Sequence, residues 1–258
     1  MFIETIDIGP VRRLTLNRPE TKNAIPPQGW SALADAFEAF ELSSQRVLVV
    51  TGAEGDFCSG ADLGSGEPEV VTSAAGRADR MKLVGRAALA LHRLSKPTIA
   101  AVDGVAAGAG MNLALGCDLV LASERARFSE IFVRRGLTVD FGGTWILPRL
   151  IGIQRAKELI LSGRIVEAAE AKEIGLVLDI VGHADLAEAA QNLAEQLATS
   201  APIPQMLAKQ TVNRSFELSL EEAIEEENQA QAICFGTQDV AEGIASFLAK
   251  RLPEFKGR

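Results

Sequence analysis

The chain has 258 residues, of which 47% are apolar and 23% charged, as in an average soluble globular protein; disordered, collagen-like and disulfide-stapled chains are excluded. Its 26 Lys and Arg against 34 Asp and Glu give a net charge of −8, which argues against nucleic acid or an anionic membrane as the main partner. The three cysteines lack C-x-x-C spacing and are expected to be reduced core residues. No leader with a basic flank opens the chain, and no apolar run approaches the roughly 20 residues of a membrane span, so we expect a cytoplasmic protein.

Strands alternate with helices through the first part of the sequence. Residues 2–8 and 11–16 alternate apolar and polar side chains around Gly9-Pro10, which predicts a β-hairpin. Short β-branched runs predict buried strands at residues 46–51, 98–102 and 118–122. Helices are predicted between them at residues 29–42, 77–94 and 109–115. This alternation predicts an α/β fold with crossover connections.

After residue 180 the sequence predicts helices only. An amphipathic helix is expected at residues 185–198, and Pro202 and Pro204 then break the chain. Further helices are predicted at residues 207–216, 220–235 and 239–248. We therefore divide the chain into an α/β core at residues 1–200 and a helical region at residues 201–258. The last helices have apolar faces that need either a partner surface or the chain's own core, formed by Ile224, Ile233, Phe235, Ile244 and Phe247.

Two glycine-rich segments are candidates for ligand binding. In residues 96–118 a buried strand runs into Gly104, and a stretch of small residues leads to a helix that begins near Ala109. The first amides of that helix have no internal partners, which suits a developing anion; tight helix–strand packing explains the small residues equally well. Residues 52–63 (GAEGDFCSGADL) form a second such loop after a strand.

Several common catalytic motifs are missing from the sequence. Gly108-Ala109-Gly110 lacks the third glycine of a dinucleotide-binding turn, since Leu113 occupies its position. The sequence contains no G-x-x-x-x-G-K-[ST], G-x-S-x-G or H-E-x-x-H motif, and His92 and His183 have no ligand spacing. Nucleotide hydrolysis, serine hydrolysis and zinc chemistry therefore lose their usual support.

Four segments together resemble the enoyl-CoA hydratase/isomerase (crotonase) superfamily: residues 16–25 (LNRPETKNAI), 55–63 (GDFCSGADL), 96–118 and 136–152 (GLTVDFGGTWILPRLIG). The resemblance extends over nearly the whole chain, and GVAAGAG, LALG and GGTWILPR look closest to the phenylacetate-degradation isomerase branch. It implies a spiral of ββα turns with C-terminal helices, assembled as a homotrimer or a dimer of trimers. It implies an acyl-CoA thioester as substrate, with no cofactor beyond the coenzyme A of that substrate.

The resemblance also assigns binding residues. The backbone amides of Ala61 and Ala109 match the two donors of the family's oxyanion hole, where closeness of the backbone matters and the side chain does not. Lys22 and Ala24 match the strip that binds the nucleotide end of coenzyme A, where Lys22, Arg18 or Lys96 is a phosphate contact or, at least as readily, an ordinary solvated cation. The remaining expected contacts of the thioester are Ser59, Gly60, Asp62, Leu63, Gly108 and Phe132.

The sequence departs from the family at both catalytic glutamates. Their positions hold Asn112 and Phe132, and neither side chain can exchange a proton. Hydration by the family's route needs two carboxylates, so efficient hydratase activity is in doubt. Asn112 is instead expected to orient the substrate or a water.

One acidic residue, Asp140, stands at an alternative catalytic position of the family. Phe132, Phe141 and Trp145 are expected to desolvate its carboxyl and to raise its pKa. A plain structural role, as the N-cap of a following helix, is the alternative. Glu130 is a possible second carboxylate, but its position next to a strand predicts that it points outward.

The leading hypothesis is therefore double-bond isomerisation with Asp140 as the single base. An enoyl-CoA hydratase with non-standard acid and base residues is the alternative within the same fold. A non-catalytic acyl-CoA binding protein is the alternative from another class. Dehalogenation is disfavoured because no suitable histidine is present to activate water. The walls of the acyl pocket are expected between residues 65 and 84.

Overall fold

In a computed structural model, which describes residues 2–64 and 74–258, the five predicted strands lie in a six-stranded mixed sheet. The sixth strand of this sheet, β9, and a smaller three-stranded sheet were not predicted. Most of the larger sheet is parallel and runs in the order β1-β2-β3-β4-β6-β9; only β1 and β2 pair antiparallel, as the predicted hairpin. The smaller sheet has the order β5-β7-β8. The strands are β1 (Ile3–Ile8), β2 (Val11–Leu16), β3 (Val47–Gly52), β4 (Thr98–Val102), β5 (Val105–Ala107), β6 (Leu119–Ser123), β7 (Arg127–Ser129), β8 (Val166–Glu167) and β9 (Asp179–Val181).

The helices follow the strands in repeated turns of strand, strand and helix. β4 in the large sheet and β5 in the small sheet lead into α3, and β6 and β7 lead into a 3-10 helix at Ile131–Arg135. This repetition confirms the predicted ββα spiral. The helices are α1 (Gly29–Glu41), α2 (Ala74–His92), α3 (Ala109–Leu115), α4 (Gly143–Ile151), α5 (Ile153–Ser162), α6 (Ala168–Glu173), α7 (Leu186–Ala198), α8 (Pro202–Arg214), α9 (Leu220–Phe235) and α10 (Gln238–Ala249).

The large sheet is covered on both faces. One face packs against α1, α2 and α3 through a core that includes Phe37, Phe40 and Leu48. The other face packs against α7, whose Ala190 and Ala194 lie on the strands. Coverage on both sides explains why every residue of β4 is buried and why β4 is apolar or β-branched throughout.

The helices after residue 200 differ from the sequence prediction at their start. α8 begins at Pro202 and includes Pro204, although these prolines were expected to break the chain. That prediction was wrong because the first turn of a helix has no internal N–H bonds for proline to remove. α8 and α9 contain no buried residue, and α10 buries only Asp239 and Ser246. The boundary at residue 200 stays a prediction.

Among the described helices, none combines the length and apolar character needed to cross a membrane. Part of the segment expected to wall the acyl pocket, residues 65–73, lies outside the described residues.

Gly110, on the first turn of α3, lets the helix approach the loop after β3. A Cβ at residue 110 would lie 2.2 Å from the carbonyl oxygen of Cys58. We expect Gly110→Ala to lower the free energy of unfolding by about 1–3 kcal/mol, because backbone must move to admit the methyl group. Urea denaturation measures this change. The matched control is Gly85→Ala on α2, where a Cβ has nothing within 4 Å and where alanine should stabilise by up to about 1 kcal/mol. Equal effects of the two changes would contradict the close approach.

Candidate active site

Two backbone segments lie directly against each other at the start of α3. The loop after β3 bonds to β5, since Cys58 N–H donates to the carbonyl of Val105 at 2.8 Å and Ala107 N–H donates to that of Cys58 at 2.9 Å. Gly60 has a φ of +95°, and a Cβ there would lie 2.8 Å from the oxygen of Ala107 and 3.6 Å from the nitrogen of Ala109. Only glycine permits this approach.

The amides of Ala61 and Ala109 are free to bind a ligand. Ile25 bonds to the residues on either side of Ala61, through Gly60 C=O at 2.8 Å and Asp62 N–H at 2.9 Å, so the N–H of Ala61 points away from Ile25. Ala109 is the first residue of α3, and its N–H has no partner within the helix. Within the described part of the chain neither N–H meets an acceptor. Both amides belong to the two segments that Gly60 brings together.

The segment at residues 18–25 is hydrogen-bonded to the loop at residues 53–63. Ser59 donates from its N–H to Lys22 C=O at 3.0 Å and from its hydroxyl to Thr21 C=O at 2.9 Å. Arg18 donates to the Asp62 carboxylate at 2.8 Å and to the carbonyl of the buried Ala24 at 3.0 Å. Arg18 therefore serves as a structural cation in this protein.

Of the other candidate contacts with coenzyme A, Lys22 and Leu63 are open to solvent. The Lys22 side chain is 54% exposed, and its ammonium lies 3.7 Å from Asp56, while Leu63 is 69% exposed. Lys96 is instead held by the carbonyls of Phe40 and Ser43 at 3.0 and 2.7 Å. Lys22 is thus the available cation of the three.

Asn112 and Phe132 line the inner side of this region. Asn112 lies one turn after Ala109 on α3, is fully buried, and donates from Nδ2 to the carbonyl of Asp140 at 3.0 Å. A Cβ at Gly143 would lie 2.4 Å from the same amide nitrogen, so glycine is needed there for the amide to fit. The ring of Phe132 lies against Gly108, within 3.6 Å of where a Cβ would be.

Asp140 is a half-buried carboxyl at the start of the turn that leads into α4. One of its oxygens, Oδ1, is buried with no hydrogen-bond partner among the described residues. Burial raises the pKa of Asp140 to about 6. The N-cap of α4 is Gly142, and no side chain caps that helix, so the N-cap role considered for Asp140 is wrong.

Glu130 points inward, and the expectation that it points outward was wrong. Its side chain is fully buried, and Oε2 lies 3.5 Å from Nδ2 of Asn112. The alternation of a strand does not reach residue 130, because β7 ends at Ser129 and a 3-10 helix starts at Ile131. The pKa of Glu130 is raised to about 8, chiefly by burial. The hydrogen bond from Asn112 acts to lower this pKa, and the negative charge of Asp140 acts to raise it.

The cysteine thiols and the histidine rings take no part in the hydrogen bonds described above. Burial raises the pKa of Cys58 and of Cys117 to about 12, so both stay protonated thiols, while Cys234 is partly exposed. His183 contacts Asp103 at 2.7 Å, and His92 packs edge-on against Trp145.

Comparisons with known proteins agree along the whole chain. The profile of a family described as Enoyl-CoA hydratase/isomerase matches residues 9–258. The chain is similar to 1,2-epoxyphenylacetyl-CoA isomerase of Escherichia coli (strain K12), with 39% identity over 254 residues that cover 96% of this chain and 95% of that protein. It is similar to 2,3-dehydroadipyl-CoA hydratase of the same organism, with 38% identity over 95% of this chain and 94% of that one. A crystal structure of enoyl-CoA hydratase from Bacillus anthracis superposes with a TM-score of 0.94 at 32% identity and covers 100% of both chains.

The raised pKa of Glu130 predicts a pH-dependent cost of folding. Below about pH 4.5 the carboxyl is protonated in the folded and unfolded chains alike, whereas between pH 4.5 and about 8 the unfolded chain loses the proton first. The free energy of unfolding therefore falls across this range. Glu130→Gln has no proton to lose, so its stability relative to the parent should grow by roughly 1–3 kcal/mol from pH 5 to pH 8.

Urea unfolding of both proteins at several pH values measures this difference. The exposed Glu167→Gln on β8 is the matched control and should show no such trend. A difference that stays constant with pH would show that Glu130 ionises normally.

Proposed function

Because the chain belongs to the enoyl-CoA hydratase/isomerase family, whose substrates are acyl-CoA thioesters, we propose that it isomerises an enoyl-CoA by moving its carbon–carbon double bond. The observation that supports this choice is Asp140. It is a partly buried carboxyl with a free oxygen and a raised pKa, in a site where the two catalytic glutamates of the family are replaced by Asn112 and Phe132.

Asp140 supplies the proton transfer. At neutral pH its carboxylate takes a proton from C2 of a 3-enoyl-CoA, and the electron pair of that C–H bond enters a dienolate that extends to the thioester oxygen. The same carboxyl then returns the proton to C4, and the double bond closes between C2 and C3. No water is added and no electrons are lost, so one base serves both steps and the reaction needs no metal or redox cofactor.

The amides of Ala61 and Ala109 stabilise the dienolate oxygen between the two steps. Free N–H groups fixed by the main chain bind a developing anion without reorganisation, and loss of one such donor typically costs on the order of 10²–10³ in rate. The positive end of α3 adds to this effect at Ala109. Coenzyme A extends from the hole along residues 59–63, with its nucleotide end near Ala24 and a phosphate within reach of Lys22.

Two features of the site disfavour water addition. Asn112 can hold a polar group but cannot exchange protons as a carboxylate does. Phe132 places an apolar ring against Gly108, where the family's second glutamate would hold the attacking water.

Hydration is a second candidate because a different pair of carboxyls exists. The Glu130 carboxyl and the backbone carbonyl of Asp140 both lie on the side-chain amide of Asn112. Several relatives are also named hydratases. Glu130 is fully buried behind Asn112, which disfavours its contact with a substrate. A non-catalytic acyl-CoA binding protein is the third candidate, since both family glutamates are replaced.

We also propose that the C-terminal helices form an interface between copies of this chain. Their apolar side chains are exposed in the single chain, so they do not pack on its own core. Five of them were singled out from the sequence, namely Ile224, Ile233, Phe235, Ile244 and Phe247, which are 46% to 81% exposed. Such a surface, on helices with almost no buried residues, is typical of a protein–protein interface, and the family resemblance favours a trimer.

Asp140→Asn tests the isomerase proposal. We expect the wild-type protein to convert 3-enoyl-CoA into 2-enoyl-CoA without 3-hydroxyacyl-CoA product, as followed by chromatography. The asparagine variant should lose at least about 10³-fold in turnover while it still binds acyl-CoA, because only the proton acceptor is removed. Asp79→Asn, an exposed change on α2, is the control and should turn over normally. Rapid hydration of 2-enoyl-CoA would support the hydratase, and binding without any turnover would support the silent binder.

Light scattering after gel filtration tests the interface. We expect a mass near three or six times 27.4 kDa. Phe247→Glu should shift the protein toward smaller species, because a charge would have to be buried in the contact. Leu42→Glu places the same charge at an equally exposed leucine outside the C-terminal helices and should leave the mass unchanged. A wild-type mass near 27.4 kDa would contradict the proposal.

A further inference from the structure

Three buried side-chain oxygens around Asn112 have no hydrogen-bond partner among the residues that the structure describes. They are Oδ1 of Asn112, Oε1 of Glu130 and Oδ1 of Asp140. An oxygen of Asp140 without a partner suits a base that awaits a substrate proton. The free oxygens of Asn112 and Glu130 need a hydrogen-bond donor within the protein, because both residues are fully buried.

Protonation of Glu130 would supply a hydrogen-bond donor for the free oxygen of Asn112. Nδ2 of Asn112 donates to the carbonyl of Asp140 at 3.0 Å, and its separation from Glu130 Oε2, 3.5 Å, is long for a hydrogen bond. Oδ1 of Asn112 therefore lacks a donor. An ionised carboxylate has acceptors only, whereas a protonated Glu130 has one O–H that can donate to this oxygen.

The surroundings of Glu130 favour the uncharged form. α3 carries no titratable side chain, and Asp140 is the one charged group whose field acts on Glu130 within the described residues. Arg134, on the adjoining 3-10 helix, donates to the carbonyl of Ser162 instead. The charged residues of β7, β8 and α5, which pack nearby, are all exposed: Arg127, Arg155, Lys157, Glu158 and Glu167.

We propose that Glu130 is a positioning residue for Asp140: its protonated carboxyl donates to Oδ1 of Asn112, and this bond holds Nδ2 of Asn112 on the carbonyl of Asp140. The chain Glu130–Asn112–Asp140 fixes the backbone from which the base projects. The inference rests on the proposed isomerisation, in which Asp140 is the base. Glu130 takes no part in the proton transfer itself.

Two ionisations then limit turnover, one at acid pH and one at alkaline pH. Asp140 must be deprotonated, so turnover rises with pH through a value near 6. Glu130 must stay protonated, so turnover falls as pH rises through a value near 8, when the donor to Asn112 is lost and a negative charge appears near Asp140. The plot of kcat against pH is therefore bell-shaped, and its fall at alkaline pH is caused by loss of the proton from Glu130.

Two substitutions separate this role from a structural one. Glu130→Gln keeps a neutral donor for Asn112, so turnover at pH 7 should stay within about threefold of wild type and the alkaline fall should disappear. Glu130→Leu keeps the volume and removes the donor, so kcat should fall on the order of 10-fold to 100-fold with little change in KM. Glu167→Gln is the control and should keep the full bell. Thermal melts verify that each variant is folded.

Other outcomes would overturn the proposal. If Glu130→Gln keeps the alkaline fall, another group causes it. If Glu130→Gln abolishes turnover as completely as Asp140→Asn, Glu130 exchanges protons in the reaction. If Glu130→Leu matches wild type in kcat, the hydrogen-bond chain does not position the base.

A readout without turnover separates this proposal from the proposed function. Carbon-13 NMR of labelled carboxyl groups should show Glu130 titrating near pH 8, and Asp140→Asn should move that titration to lower pH by removing the neighbouring charge. A normal titration of Glu130 overturns the positioning role whatever reaction the protein catalyses. If no enoyl-CoA is isomerised while the titration is as expected, the proposed function fails and the buried carboxyl chain stands.

Discussion

The approach of the loop after β3 to the first turn of α3 is the constraint on which the site depends. The carbonyl oxygen of Cys58 would lie 2.2 Å from a Cβ at Gly110, and that of Ala107 would lie 2.8 Å from a Cβ at Gly60. Because glycine has no Cβ, its presence at both positions lets the two main-chain segments lie closer together than other residues would allow. The amides of Ala61 and Ala109 are placed by this meeting, with no contribution from side-chain rotamers. The bonds of residues 18–25 to the second loop keep that arrangement fixed.

Burial gives the two carboxyls different roles in the same small volume. Both lose hydration, but Glu130 is fully enclosed and Asp140 keeps part of its surface. The pKa of Glu130 is therefore raised more, to about 8 against about 6, and neutral pH falls between the two values. At that pH the cluster holds a single negative charge, on the residue that keeps part of its surface exposed. The proposed roles, Asp140 as the base and Glu130 as its neutral partner, follow from environment, since both side chains have the same functional group.

Local signals in the sequence were enough for most of the large sheet and for the start of α3. β3 and β4 were predicted within a residue or two because buried β-branched runs ended in glycine, and α3 begins at Ala109 as expected. β7 and β8 have three and two residues, too few for any periodicity to show. The sequence left Asp140 open between base and helix cap, and exclusion of the cap needed the position of Gly142. The inward direction of Glu130 depends on where β7 ends and on what covers it, which are properties of the folded chain.

The order of elements along the chain places the exposed apolar surface of the C-terminal helices after the residues of the site. The described residues of the site lie between Arg18 and Gly143, and the large sheet is complete with β9 and covered by α7. The C-terminal helices, whose exposed apolar side chains include Phe235 and Phe247, come after all of these. During synthesis, when N-terminal segments fold first, the core can form before the apolar surface of the C-terminal helices leaves the ribosome. This C-terminal surface therefore becomes available to a neighbouring chain only after the core has formed.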